Sequence, residues 1–296
     1  MRYYLNSDTL FIRGSFRAAS TGCAGGIRSV STILNHTIVP DETPDPDREL
    51  GIAAAGAGLG IGQDYFGLLT TVPAGHACVL QYDFITVFIT AGIRREAQGN
   101  AGAIHVIVSS SEGMNDAALL ETIMVATEAK TEALRALDLP LSGTPADAVI
   151  AACEGEERHD SAGRLTEIGK RVREAVLHGI PEALTRHDTG VQSARPAFFV
   201  FSRIREEHWI EWSPHNCPYY PCHFEGQSCD FCYCPFYPCK DEELGQWVES
   251  SSRGKVWNCA HCTLLHKPAV AAYLKKFPGA SREELKQCTK RIKNKN

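Results

Sequence analysis

Eight cysteines crowd one stretch near the end of the chain: Cys217, Cys222, Cys229, Cys232, Cys234, Cys239, Cys259 and Cys262. Closely spaced thiols on tight turns suit a tetrahedral ion, because each short loop can present two sulfurs to one centre. Eight sulfurs suffice for two such sites, and two structural zinc ions are the expected occupants. An iron–sulfur cluster is the alternative, although the ferredoxin run Cys-x2-Cys-x2-Cys-x3-Cys-Pro is absent. His215, His223, His261 and His266 lie near enough in sequence to replace a cysteine. The loop Cys217-Pro-Tyr-Tyr-Pro-Cys222 recurs as Cys234-Pro-Phe-Tyr-Pro-Cys239. Few aliphatic residues occur here, so without a metal staple the segment would bury too little apolar surface to fold. A closed four-ligand site has no open position for hydrolysis, so the module is expected to be a scaffold or binding surface.

A second group of residues has the types that hydrolysis uses: hydroxyls, an imidazole, a carboxylate and flexible backbone. Ser20-Thr21-Gly22-x-x-Gly25-Gly26 sets two hydroxyls beside glycines whose N–H groups could face an oxyanion. Asn35-His36-Thr37 follows, then Gly143-Thr144-Pro145-Ala146-Asp147, then His159 to Thr166. A hydroxyl or carboxylate at a turn is equally what a helix cap or turn needs, so taken singly these signals are weak.

The elements that carry them read as follows. Phe11 to Ser20 is a strand entering the glycine turn. Pro40 to Arg48, acidic and proline-rich, is a loop. Gly51 to Gly62 imitates a dinucleotide fingerprint but lacks its third glycine, so close backbone packing is the better account. Cys78 to Ala91 and Ala103 to Ser109 are apolar, largely buried strands. Asn115 to Leu137 is an amphipathic helix, with Leu119, Ile123, Met124 and Leu134 inward and Glu128, Lys130 and Glu132 toward solvent. Asp147 to Ala152 is a short strand, and Thr166 to His178 a helix ending near Gly179. Pro196 to Ile204 returns to the first domain. Two short helices close the chain, one opened by Lys267-Pro268 and one by the capping pattern Ser281-Arg-Glu-Glu284. Interspersed strands and helices predict an α/β (or α+β) layered domain over residues 1–205, followed by a zinc-ribbon-like cysteine-rich module over 206–296.

Composition narrows the classes. The 296 residues are 44% hydrophobic and 22% charged with a net charge of −5, which gives no bias toward nucleic acid or an anionic membrane. The end is basic (Lys286, Lys290, Arg291, Lys293, Lys295), but the overall acidity counts against nucleic-acid binding. Met1 to Gly14 lacks a signal-peptide core, and the apolar run from Ala77 to Ile93 is broken by Gln81 and Asp83, so no membrane span is expected. Twelve cysteines without a secretion signal indicate a reducing, cytoplasmic setting. Cys23, Cys78, Cys153 and Cys288 are scattered and are expected to act as small buried hydrophobes. The oligomeric state is open, a homo-oligomer included.

Residues from about 10 to 185 resemble the adenosylcobinamide amidohydrolase family. The resemblance rests on Arg17-Ala-Ala-Ser20-Thr21-Gly22 with Gly25-Gly26, Asn35-His36-Thr37-Ile-Val-Pro40, Thr90-Ala91-Gly92, Ala126-Thr-Glu-Ala-Lys130, Gly143-Thr144-x-x-Asp147-Ala-Val, and Ala162-Gly163-x-x-Thr166-x-x-Gly169, in family order. The segment from Trp212 onward resembles a cysteine-rich small domain sometimes fused to such enzymes. The resemblance implies hydrolysis of the amide joining the aminopropanol arm to a corrin ring, with a corrinoid as substrate. Two positions depart from the pattern: Ala146 stands where a second Thr is usual, and His105 where Asn is usual. On this resemblance Asp147 and His36 are the acid/base candidates. Thr144, Thr21 and Ser20 are candidates for nucleophile or substrate contact. Gly25 and Gly26 would supply backbone donors, Thr166 would touch substrate, and Cys23 is an outside candidate for nucleophile. The competing expectation is a non-catalytic corrinoid-binding or zinc-dependent interaction protein.

Overall fold

The computed structural model describes residues 1–39, 45–59, 64–96, 99–190, 195–202, 207–212, 220–232, 234–250, 254–277 and 279–293. The chain divides into two compact units, Tyr3–Trp212, and Ser213–Asn296 with Met1–Arg2.

In the first unit the strands are β1 (Arg2–Asn6), β2 (Thr9–Ser20), β3 (Gly26–Thr37), β4 (Tyr65–Thr70), β5 (Cys78–Tyr82), β6 (Ile85–Glu96), β7 (Gly99–Ser110), β8 (Gly113–Met114), β9 (Ala148–Cys153), β10 (Glu157–His159), β11 (Ala197–Ser202) and β12 (His208–Glu211). Among the described residues ten of them form one mixed sheet in the order β12-β11-β5-β6-β7-β9-β2-β3-β4, with β1 on β2. The long hairpin β2–β3 runs from Thr9 opposite His36 to Ser20 opposite Gly26, bent by an irregularity between Arg13 and Phe16. Strands β7 and β9 are parallel and joined through helix α2 (Asp116–Ala136), so β9 begins beside the middle of β7, Ala148 opposite His105.

Alternation sorts the strand residues. Val87, Ile89, Ile104, Val106, Val108, Val149 and Ala151 face one way, into a core with α2 and α3 (Glu167–Asp188). Phe88, Thr90, His105, Ile107 and Ile150, between them in sequence, face the other way. Helix α1 (Pro46–Gly56) brings Leu50 and Ala54 onto Phe11 and Leu34.

The mixed α/β architecture matches the expectation, and several details correct it. The apolar run Cys78 to Ala91 is two strands, not one. Asp83, its polar break, sits at φ 53° in a two-residue turn, a conformation that Asp tolerates better than most residues. Helix α3 runs past Gly179. A Cβ there would lie 2.6 Å from Leu80 and Ile89 carbons, so that glycine seats the helix on the sheet and does not end it. The segment expected as a loop is helical from Pro46, capped by Asp45, while Pro40 to Pro44 lie outside the described residues. Gly51, Gly56 and Gly58 have open space where a Cβ would stand, so close packing does not explain them; Gly60 to Gly62 lie outside the described residues. On α2, Met124 is 60% exposed while Lys130 is buried, the reverse of the amphipathic reading. Of the four scattered cysteines, Cys78 and Cys153 are buried as expected, whereas Cys23 and Cys288 are only half-buried.

The second unit has a hairpin, β13 (Gln246–Ser250) with β14 (Gly254–Asn258), and helices α4 (Pro268–Lys276) and α5 (Arg282–Lys293). Leu264, Leu265, Val270, Leu274, Ala280 and Leu285 form its core. Ser281 Oγ accepts the Glu284 N–H at 3.2 Å while Glu284 Oε2 accepts the Ser281 N–H at 2.6 Å, the reciprocal cap the sequence predicts. No helix among the described residues is long and apolar enough to cross a membrane.

Candidate active site

The start of β9 gathers most of the candidate residues. Asp147, just before the strand, accepts four hydrogen bonds. Oδ1 accepts from the Ile104 N–H at 2.8 Å and from Thr144 Oγ1 at 2.7 Å. Oδ2 accepts from the Thr144 N–H at 3.0 Å and from Lys130 Nζ at 2.5 Å. The Lys130 and Asp147 side chains are only 8% and 10% exposed. Gly143 makes the approach possible: its φ is 154°, and a Cβ would stand 2.4 Å from Asp147 Oδ2 and 2.5 Å from Lys130 Nζ. Thr144 Oγ1 also lies 2.7 Å from the Gly102 carbonyl, so two acceptors compete for one hydroxyl proton.

The glycine turn after β2 is stitched to the same place. The Thr21 N–H donates to the Val149 carbonyl at 3.0 Å, and Thr21 Oγ1 accepts the Val149 N–H at 2.9 Å. Ser20 Oγ accepts the Gly22 N–H at 3.1 Å, a bond that leaves its own proton to be donated. The Gly25 N–H already donates to the Gly22 carbonyl at 3.1 Å, and a Cβ on Gly25 would meet the Ser20 carbonyl oxygen at 2.3 Å. Gly25 thus closes the turn, and Gly26 follows it at φ 108°.

A buried polar chain backs the site. Asn35 Nδ2 donates to Thr90 Oγ1 at 2.8 Å, His105 Nδ1 lies 3.1 Å from Asn35 Oδ1, and His105 Nε2 lies 3.2 Å from the Ala146 carbonyl. Burial pushes His105 down to about 4, so the ring is neutral and carries one N–H for these two neighbours. His105 thus meets residue 146 through its backbone carbonyl and not through the Ala146 side chain.

Two candidates lie apart from this cluster, His36 and Thr166, and a third, Cys23, is in the glycine turn itself. His36 is on the face of β3 opposite Asn35, with Nδ1 2.7 Å from Thr9 Oγ1. A Cβ on Gly22 would stand 2.4 Å from Leu68 Cδ2, and Leu68 is the β4 partner of Asn35, so it is strand alternation and not distance along β3 that turns the imidazole away from His105. Thr166 caps α3, donating to the Gly163 carbonyl at 2.8 Å and accepting the Gly169 N–H at 3.1 Å, beyond the far end of β9. Cys23 is half-buried in the glycine turn. Conversely, Lys130 belongs to the site, although the amphipathic pattern assigns it to solvent. The signal in the sequence is its spacing: Ala126, Lys130 and Leu134 step by four along α2, and both neighbours are buried.

In the cysteine-rich unit, Cys217 and His215 lie outside the described residues. The other seven cysteines of the module carry thiols and take part in no disulfide. Two pairs sit on short turns, closed by Cys232 N–H to Cys229 carbonyl at 3.2 Å and Cys262 N–H to Cys259 carbonyl at 2.9 Å. Cys232, Cys234, Cys239, Cys259 and Cys262 line one cavity of about 220 Å³ together with His223 and His266. Burial pushes the Cys234 thiol up to about 12, and the neighbouring Cys262, Cys259 and Cys239 sulfurs push the same way. Thiolates packed so closely repel one another, and a soft cation relieves that repulsion, so the donor set fits zinc. Among the described residues no three of these side chains already form a metal-holding group.

Residues 208–289 match the cysteine-rich small domain, and residues 4–191 match the family described as adenosylcobinamide amidohydrolase. Over 196 residues the chain is 37% identical to the adenosylcobinamide amidohydrolase of Methanosarcina mazei, covering 62% of this chain and 98% of that protein. A 56-residue stretch is 59% identical to an uncharacterized protein of Methanocaldococcus jannaschii, 19% of this chain and 47% of that one. Another stretch of 65 residues is 49% identical to a Methanothermobacter thermautotrophicus protein named "Probable cobalt-factor III C(17)-methyltransferase", 22% of this chain and 18% of that one. The match to the family spans more than half of the chain and nearly the whole of the Methanosarcina protein, so the chain belongs to the adenosylcobinamide amidohydrolase family and is an amide-bond hydrolase.

Proposed function

We propose that this enzyme cleaves the amide between the aminopropanol arm and the corrin ring of adenosylcobinamide, releasing adenosylcobyric acid and 1-aminopropan-2-ol. The observation that carries the reading is the alignment of Thr144 Oγ1, Asp147 and Lys130 at the start of β9, in a chain of this family. Thr144 Oγ1 attacks the amide carbon as its proton passes to Asp147 Oδ1. The C–N bond breaks as that proton goes to the departing amine. A water then repeats both transfers on the resulting ester, which adds one water overall and frees the acid. The Lys130 ammonium fixes the carboxylate, Ser20 contacts the substrate from the adjoining turn, and Thr21 holds that turn to the Val149 backbone. A corrinoid substrate fits the names of the relatives, one of which is named for a cobalt factor. Zinc in the cysteine-rich unit is structural in this reading and takes no part in the chemistry.

The test is incubation of the full chain with adenosylcobinamide and mass detection of both products. Thr144→Val and Asp147→Asn are expected to abolish product formation while corrinoid binding persists. Undiminished turnover in either variant refutes the assigned roles, and an intact substrate with wild-type protein refutes the reaction.

A further inference from the structure

Arg28 lies on β3, two residues past Gly26 and opposite Ala18. Its side chain is half-buried and reaches back over the glycine turn. Nη1 donates to the Ala24 carbonyl at 2.9 Å and to the Gly25 carbonyl at 3.3 Å. Nη2 donates to the carbonyl of Tyr65, the first residue of β4, at 3.0 Å. The guanidinium carbon stands 3.9 Å from the centroid of the Phe66 ring. Three of the five N–H donors are thus engaged by backbone carbonyls, and a cation–π contact fixes the group that makes them. Only a planar fork can bridge three carbonyls in this way. What it grips is the strained part of the turn. Ala24 has φ 47°, a left-handed conformation that a residue with a Cβ keeps only where its surroundings hold it. On the other side, Thr21 ties the same turn to the Val149 backbone. The turn is therefore strung between β9 and β4, with Ser20 at its head.

We propose that Arg28 is a positioning residue of the hydrolase: it clamps Ala24 in the left-handed conformation and so keeps the glycine turn, with Ser20, fixed against the start of β9. Arg28 acts through the turn and not on the substrate, since its bonds go to the protein's own carbonyls. The consequence for turnover rests on the reading of Ser20 as a substrate contact, whereas the clamp itself does not. Without the clamp Ala24 relaxes toward negative φ, the carbonyls of Ala24 and Gly25 swing away from β4, and Ser20 Oγ loses the fixed Gly22 N–H that orients it.

The test compares full-length wild type, Arg28→Lys and Arg28→Ala by amide hydrogen exchange over residues 20–26 and by turnover of adenosylcobinamide. In both variants exchange in the turn is expected to quicken while α2 and α3 exchange as in wild type, the mark of local and not global loosening. Arg28→Lys is expected to behave like Arg28→Ala, because an ammonium keeps the charge and loses the fork. The kcat is expected to fall by about 10- to 100-fold, the effect of misplacing a group by about 1 Å, with KM little changed. Wild-type exchange in the turn of Arg28→Ala overturns the clamp. Faster exchange with an unchanged kcat overturns its bearing on the reaction, and a raised KM at unchanged kcat makes Arg28 a binding group instead. If the wild-type protein leaves adenosylcobinamide intact, the proposed reaction fails, and the exchange rates alone then uphold or overturn the clamp.

Discussion

Replacement of Lys130 by Met tests the core of the site most directly. Met keeps the length and the packing of the stem and removes the ammonium. Asp147 is then a carboxylate at 10% side-chain exposure without its counter-charge. Removing one partner of a buried pair costs about 3–5 kcal/mol. Three donors remain on Asp147, the Ile104 N–H, the Thr144 N–H and Thr144 Oγ1, so the lower end, about 3 kcal/mol, applies. For a unit of this size that loss lowers the melting midpoint by about 6–12 °C. The companion variants are Asp147→Asn and the double change. Once the carboxylate is gone, losing the ammonium no longer strands a charge, so the double variant is expected to be more stable than the sum of the single losses by about 2 kcal/mol. The assay is urea unfolding of the three variants and wild type, followed by circular dichroism. A Lys130→Met cost below about 1 kcal/mol, or strictly additive losses, refutes a buried coupled pair.

The remaining predictions use the same frame. His105 titrates near 6.5 unfolded and about 4 folded, so between those values the unfolded chain binds the extra proton. Its contribution is present above pH 6.5 and is lost as pH falls toward 4, by about 3 kcal/mol in all; His105→Asn should abolish that part of the acid sensitivity, and identical urea midpoints against pH in both proteins would contradict it. Gly143→Ala forces a methyl into Asp147 Oδ2 and Lys130 Nζ at a positive φ, and is expected to cost about 2 kcal/mol or more with loss of turnover; a wild-type melting curve would show the loop relaxes freely. Thr166→Ala removes a helix cap and is expected to cost about 1 kcal/mol with KM unchanged; a raised KM at full stability would make Thr166 a substrate contact instead.

The limits of reading the sequence follow the range of the physics involved. Helix α2 is legible almost to the residue, because Asn115 as cap and the apolar spacing are local properties. The reciprocal cap at Ser281 and Glu284 is legible for the same reason. The hairpin turn at Asp83 is not, because two apolar strands joined by two residues look like one run unless the polar break is given the weight of a turn. The site divides along the same line. Motif order singles out Ser20, Thr21, Thr144 and Asp147, and β2, β7 and β9 do bring them together. The resemblance groups His36 with them through the motif Asn35-His36-Thr37, yet strand alternation turns Asn35, and not His36, toward His105. Lys130 is the harder case. An amphipathic reading assigns a lysine to water because an unpaired buried ammonium is costly. Reasoning from charge reverses when a carboxylate is known to meet it, and that carboxylate arrives through a loop whose approach depends on Gly143 lacking a side chain. The charge pattern of the helix alone cannot carry that information, whereas the four-residue step from Ala126 through Lys130 to Leu134 already places the lysine on the buried face.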